Sequence, residues 1–252
     1  MIDYANLSPW LLLIAPIVVI VAYTVFGLSG FGSTMISVPI LAHFLPLAYL
    51  VPLMALLDLV SAVFLGVKGR GQVSKSELKR LVPIMLVGFV VGITMLVNMP
   101  ENYLRTALGL FAILVGVNSI VNPVLHRTIS AWWSVPAGII GGAVATVFGA
   151  GGPIYITYLS GRLRDKGEMR ATISTLISIS AFTRALVYLV SGVMLHMAIL
   201  LGTIVLAPFV WLGIKLGTRI HLGLTQEQMR RAIGALLVLA GASLLVRALM
   251  QQ

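Results

Sequence analysis

The chain has 252 residues, of which 59% are hydrophobic and 10% charged, and its mean hydropathy is +1.06. That much apolar surface exceeds what a soluble domain can bury, so lipid must serve as part of the solvent. The formal charge of +10 sits in short loops between apolar runs, which fits membrane topology rather than nucleic acid, and the absence of cysteine excludes disulfides, thiolate metal sites and thiol nucleophiles.

Ten helical segments are predicted in chain order, at 10–28, 33–47, 48–67, 80–97, 103–121, 131–148, 152–160, 171–194, 197–216 and 229–248. The first is read as a mature membrane segment, because Asp3 is the sole charge ahead of it and no basic leader region precedes it. Segment 33–47 is short and contains Pro39. Segment 152–160 would span roughly 14 Å as helix against a hydrocarbon core of about 30 Å. Both read as half-helices that return from a break inside the membrane. The expected fold is therefore an all-α polytopic membrane protein of about eight full transmembrane helices plus two half-helices.

The breaks themselves are Gly27-Leu28-Ser29-Gly30-Phe31-Gly32-Ser33 and Phe148-Gly149-Ala150-Gly151-Gly152-Pro153. Unwound backbone is tolerated in lipid only where it is buried in protein or lines a cavity. A matched pair of breaks, one in each half of the chain, marks a transporter's substrate site.

The halves align. With an offset of 125, Pro83, Gly88, Gly92, Arg105, Ala107, Gly109 and Gly116 meet Pro208, Gly213, Gly217, Arg230, Ala232, Gly234 and Gly241; with an offset of 119, Gly30 and Gly32 meet Gly149 and Gly151. This divides one transmembrane domain into a first repeat, 1–122, and a second, 123–252. Five segments per half make the second enter from the opposite side, an inverted repeat whose breaks face each other near the midplane. The Gly88/Gly92 and Gly213/Gly217 spacings read as close helix packing between equivalent elements.

Loop charges orient the chain. Loops 68–80, 122–130, 161–170 and 215–231 carry net +4, +1, +2 and +3, or +10 together, while the opposite side holds Asp3 and Glu101, −2. The positive-inside rule then places both termini outside, periplasmic in a bacterial inner membrane. Trp132 and Trp133 fall at the inner interface and Trp10 at the outer one.

These motifs resemble the TauE/SafE family, often called sulfite exporters, over nearly the whole chain. The first family motif corresponds to Gly27 through Pro39, and the second to Gly149 through Pro153 followed by Ile154 to Leu159. The family often carries a cation beside an asparagine in the next segment; Arg184 fits the cation, with Ser180, Ala181 and Thr183 as neighbours instead. The resemblance implies transport of small sulfur-containing anions: sulfite, organosulfonates or sulfoacetate.

The residues supply the chemistry of such a site. A half-helix beginning at a break aims unpaired N–H groups and its positive dipole end at the cavity. The candidate substrate ligands are Ser29, Gly30, Gly32, Ser33 and Thr34 at the first break, and Gly149, Gly151, Gly152 and Tyr155 at the second, with Arg184. Ser33 is placed to cap the first half-helix, and Pro153 suits the first turn of the second. An arginine at the centre of a helix costs about 2.5–3.5 kcal/mol on insertion scales, so Arg184 needs a wet cavity, an anion or a partner. Asp58, central in 48–67, either carries a coupling proton or neutralises Arg184. His43 and His196 read as interfacial residues. No metal-ligand spacing, nucleotide fingerprint or nucleophile–base pair is present, so no metal, cofactor or enzymatic activity is expected. The partners are a small anion and the bilayer, with homo-oligomerisation open. A secondary carrier and a passive anion channel both fit.

Overall fold

The computed structural model describes residues 11–29, 32–65, 73–121, 129–219 and 226–250. All regular structure in them is helical. The helices are α1 (Leu11–Ser29), α2 (Ser33–Leu41), α3 (Leu47–Leu65), α4 (Lys75–Asn98), α5 (Glu101–Val121), α6 (Ser134–Phe148), α7 (Gly152–Ser160), α8 (Lys166–Val190), α9 (Met197–Arg219) and α10 (Gln226–Met250). A 3-10 turn, Ala131–Trp133, leads into α6, and another, Val193–Leu195, follows α8. Among the described residues six helices, against the eight or so full spans expected, are long and apolar enough to cross a membrane, and the apolar stretches of α1 and α3 are shorter. Large apolar side chains such as Val90, Leu114, Val190 and Ile204 point outward, as lipid-facing positions require.

The element count matches the sequence reading, and the boundaries differ where polar residues continue a helix. The α4 helix begins at Lys75 rather than at 80, because its charged first turns bury Glu77 and Leu81 while leaving Lys79 and Arg80 outside. The α8 helix begins at Lys166, five residues early, where the Asp165 carboxylate caps it by accepting from the Glu168 N–H at 2.7 Å. The α2 helix stops at Leu41, not 47, in a turn ahead of Pro46.

Three tight helix pairs organise the bundle, and each rests on glycine. A Cβ at Gly88 would lie 2.4 Å from the Ile139 carbonyl of α6, and one at Gly92 would lie 2.6 Å from Thr146 Cβ. Gly213 and Gly217 of α9 press against α1, at Ile20, Tyr23, Thr24 and Gly27. Gly109 and Gly116 of α5 meet Gly241 and Gly234 of α10, each close to the other's carbonyl. The small-residue spacings therefore do pack helices closely. The expectation that the Gly88/Gly92 and Gly213/Gly217 spacings pack against each other is not met. The glycines of α4 face α6, and those of α9 face α1.

Candidate functional site

The site is built where the two interrupted helices, α1–α2 and α6–α7, meet α3 and α8. Both interruptions have a glycine at positive φ: Gly32 at +97° and Gly149 at +71°. An L side chain rarely adopts this backbone, which is why glycine stands at both turns. At Gly149 space demands glycine too, since a Cβ would lie 2.0 Å from Thr34 Cγ2 and 3.3 Å from Arg184 Nη1. The second break thus touches both the start of α2 and the arginine of α8.

Asp58 of α3 is the hub. Its Oδ1 accepts from Tyr23 Oη and Ser33 Oγ, each at 2.8 Å. Its Oδ2 accepts from Thr34 Oγ1 at 2.7 Å and from Arg184 Nη2 at 2.9 Å. Ser33 and Thr34 belong to the first turn of α2, so their hydroxyls tie the carboxylate to the N-terminal end of that short helix. Charge-assisted bonds of this kind are the stronger class. They explain a correction: Ser33 does not cap α2. The N-cap is Gly32, with no side-chain cap bond, and the Ser33 hydroxyl goes to the charged acceptor instead.

Arg184, 3% exposed, reaches from α8 to the end of α6. Its Nη1 donates to the Ala145 carbonyl at 3.0 Å and its Nη2 to Asp58. Tyr188, one turn on, donates to the Thr146 carbonyl. Those carbonyls lie in the last turn of α6, whose negative dipole end suits a cation. The partnership of Arg184 with Asp58 is therefore formed, one of the two roles the sequence left open for the carboxylate.

The donor set is not exhausted. Arg184 Nε is enclosed with no hydrogen-bond partner among the described residues, and so is the Ser37 hydroxyl. Tyr155 stands on the first turn of α7 and faces Ser180, one turn before Arg184. A buried donor left unmade costs about 1–3 kcal/mol. Pro153 occupies the first turn of α7, as expected. The Ile154 and Tyr155 N–H groups are the first to bond back, both to Gly151 O, and the amides ahead of them form the positive end of the second half-helix.

The other predicted ligands fall as follows. Gly30 lies outside the described residues, and Ser29 ends α1 with its side chain likewise outside them. Gly151 is a packing residue: a Cβ there would lie 2.5 Å from the Gly141 carbonyl of α6. Gly152 has open space beside it, with Ile177 Cδ1 the nearest atom at 4.0 Å. His43 sits past the end of α2, where its ring bonds the Pro39 and Ile40 carbonyls and Ser243 of α10.

A second polar cluster went unread in the sequence. Glu77, 2% exposed, accepts from Tyr158 Oη at 2.7 Å, from Arg162 Nε and Nη2 at 3.1 and 2.9 Å, and from Arg80 Nη1 at 3.1 Å. Arg162 also donates to the Ile129 carbonyl. The cluster ties the C-terminal end of α7 to the first turn of α4. Its one available signal was a lone acid within a basic loop.

A buried arginine, two interrupted helices and a lipid-facing helical shell define a polytopic membrane transporter. The family model described as Sulfite exporter TauE/SafE matches residues 15–244, and the chain belongs to that family. It is similar to the Probable inner membrane transporter protein TsaS of Comamonas testosteroni, 26% identical over 193 residues that cover 76% of this chain and 81% of that protein. No solved structure matches.

Proposed function

We propose that the protein is a secondary carrier of small sulfur-containing anions, namely sulfite, organosulfonates or sulfoacetate, bound near the bilayer midplane. The observation that carries this reading is the enclosed Nε of Arg184, left without a hydrogen-bond partner among the described residues, on the helix whose Ser180 faces Tyr155 at the N-terminal end of α7. A tetrahedral or pyramidal oxyanion matches that set: a cation with spare N–H, a hydroxyl donor and backbone amides. The family description supports a sulfur-containing anion as substrate, and the TsaS likeness supports a bacterial inner-membrane setting. In this reading Ser33 and Thr34 serve the site through Asp58, and Gly32 and Gly149 shape the turns.

Alternating access follows from an inverted repeat, 1–122 and 123–252, and three sets of contacts support one. Exchanging the halves by the offsets of 125 and 119 takes Gly92 against Thr146 onto Gly217 against Gly27. It takes Gly88 against Gly142 onto Gly213 against Tyr23. It takes Gly109 against Gly241 onto Gly234 against Gly116. All six contacts are present, and chance matching of glycine-rich helices does not require that.

The test is binding and proteoliposome uptake of sulfite, sulfoacetate and alkanesulfonates by folded, monodisperse Arg184→Ala protein. Loss of one charged contact should weaken binding by about 1.5–3 kcal/mol. Arg184→Lys should recover only part, because an ammonium lacks the planar fork. Unchanged affinity would reduce Arg184 to the structural partner of Asp58, and unitary currents in planar bilayers would replace the carrier with a channel.

A further inference from the structure

We propose that Asp58 is the anion Arg184 holds until substrate binds and the seat of a coupling proton: a transported anion takes Arg184 only when a proton neutralises Asp58, so one proton moves with each monoanion. This rests on the site reading above and adds its energy coupling.

The argument starts from what each donor to Asp58 can become. Three of the four are hydroxyls, on Tyr23, Ser33 and Thr34. A hydroxyl can donate or accept, so each can turn to accommodate a protonated carboxyl. The fourth is Arg184, which has donors and no acceptor. A proton added to Oδ2 therefore leaves the hydroxyl shell satisfied and displaces the guanidinium alone. Nη2 is then free to join Nε, already without a partner, in a bidentate grip on an incoming oxyanion.

Charge conservation requires the same order. With Asp58 ionised and Arg184 protonated, the pocket is neutral. Protonated Asp58, Arg184 and a monoanion are neutral as well. An anion arriving beside ionised Asp58 would leave one uncompensated negative charge in a nearly dry site, which a low-dielectric interior strongly disfavours. No bond in the substrate is made or broken. The proton comes from water on the side to which the site is open, bonds to a carboxylate oxygen, and leaves with the anion on the other side. Asp58 keeps 12% side-chain exposure against 4% for Arg184, so the carboxylate is the less enclosed member of the pair.

Other groups do not confuse the assignment. The titratable side chains facing Asp58 among the described residues are Tyr23 from α1 and Arg184 and Tyr188 from α8. Helices α2 and α6 contain no titratable residue. The charged residues of α4, α5 and α9 lie towards the helix ends, at Lys75 to Arg80, Glu101 to Arg105, and Lys215 to Arg219.

The experiment uses methanesulfonate, which stays ionised throughout the range and so does not titrate itself. Its affinity for the full-length wild-type protein should tighten as pH falls from about 8 towards 5, with a limiting slope of about tenfold per pH unit for one proton taken up with each anion. Uptake into proteoliposomes should carry one proton per anion, read with an internal pH dye, and be insensitive to membrane potential. Asp58→Asn, a permanent neutral mimic, should bind with little pH dependence and lose accumulation driven by a pH gradient. Binding that is flat with pH in the wild type, or uptake without protons, overturns the coupling while leaving the anion site standing. Neither measurement requires the variant to fold. Absence of methanesulfonate binding at every pH overturns the sulfonate reading itself, and the coupling with it.

Discussion

Thr34 and Gly149 show how closely the two breaks are fitted. The methyl of Thr34 fills the space a side chain at position 149 would need, while its hydroxyl holds Asp58. Gly149→Ala should therefore be destabilising twice over, through the left-handed backbone, worth about 1–2 kcal/mol, and through the clash. Thr34→Ser removes the methyl and keeps the hydroxyl. The double variant Thr34→Ser/Gly149→Ala should recover the clash portion and leave the backbone portion, as thermal unfolding in detergent would report through a double-mutant cycle. Simple additivity of the two changes would mean the breaks are not in contact. At this scale the sequence disclosed the glycines and Arg184, because interrupted apolar runs and an arginine in lipid are conspicuous on their own. It did not disclose that Asp58 takes the Ser33 and Thr34 hydroxyls of α2, with Tyr23 as a further donor. Those bonds join residues 24 to 126 positions apart, and no local pattern encodes such pairings.

Among the elements, α7 depends on what holds its far end. Its first turn carries Tyr155 and its last turn carries Tyr158, which with Arg162 docks on Glu77. Arg162 makes two bonds to the carboxylate and one to Ile129, and is about one-quarter exposed; Arg80 makes one and is nearly half exposed. Exposed pairs contribute about 0–1 kcal/mol, so Arg80→Ala should change stability little. Arg162→Ala should cost about 1–3 kcal/mol, because it strips a buried acceptor of its best donors. Equal effects in thermal unfolding would show that the cluster does not anchor α7. Helix existence was legible from apolar periodicity and length, and the ends were not. Charged first turns in α4 and α8 looked like loop because lipid-scale hydropathy ignores a half-buried amphipathic turn.

For the whole molecule, the open question is which way it faces. The reading from loop charge places the basic loops, +10 in sum, in the cytoplasm and both termini outside. The structure refines the other side of that balance. Arg105 pairs with Glu101 at 2.7 Å, and Arg247 donates to the His43 carbonyl beyond α2. Counted with Asp3, the outward end is close to neutral rather than −2. The asymmetry survives, since the rule weighs Lys and Arg near the helix ends and six of the basic residues lie in loops 68–80 and 122–130 alone. The absence of cysteine makes the test direct, because one introduced thiol is the sole target for a maleimide. Lys75→Cys and Arg164→Cys alter exposed positions on the face assigned to the cytoplasm, and Asn102→Cys an exposed position on the opposite face. In intact cells a membrane-impermeant maleimide should label Asn102→Cys and spare the other two until the membrane is opened. The reverse pattern would invert the orientation and move the Glu77–Arg162 anchor to the outer face. It would leave the anion site untouched, because Arg184, Asp58 and the two breaks owe their arrangement to contacts within the bundle and not to the side from which it is entered.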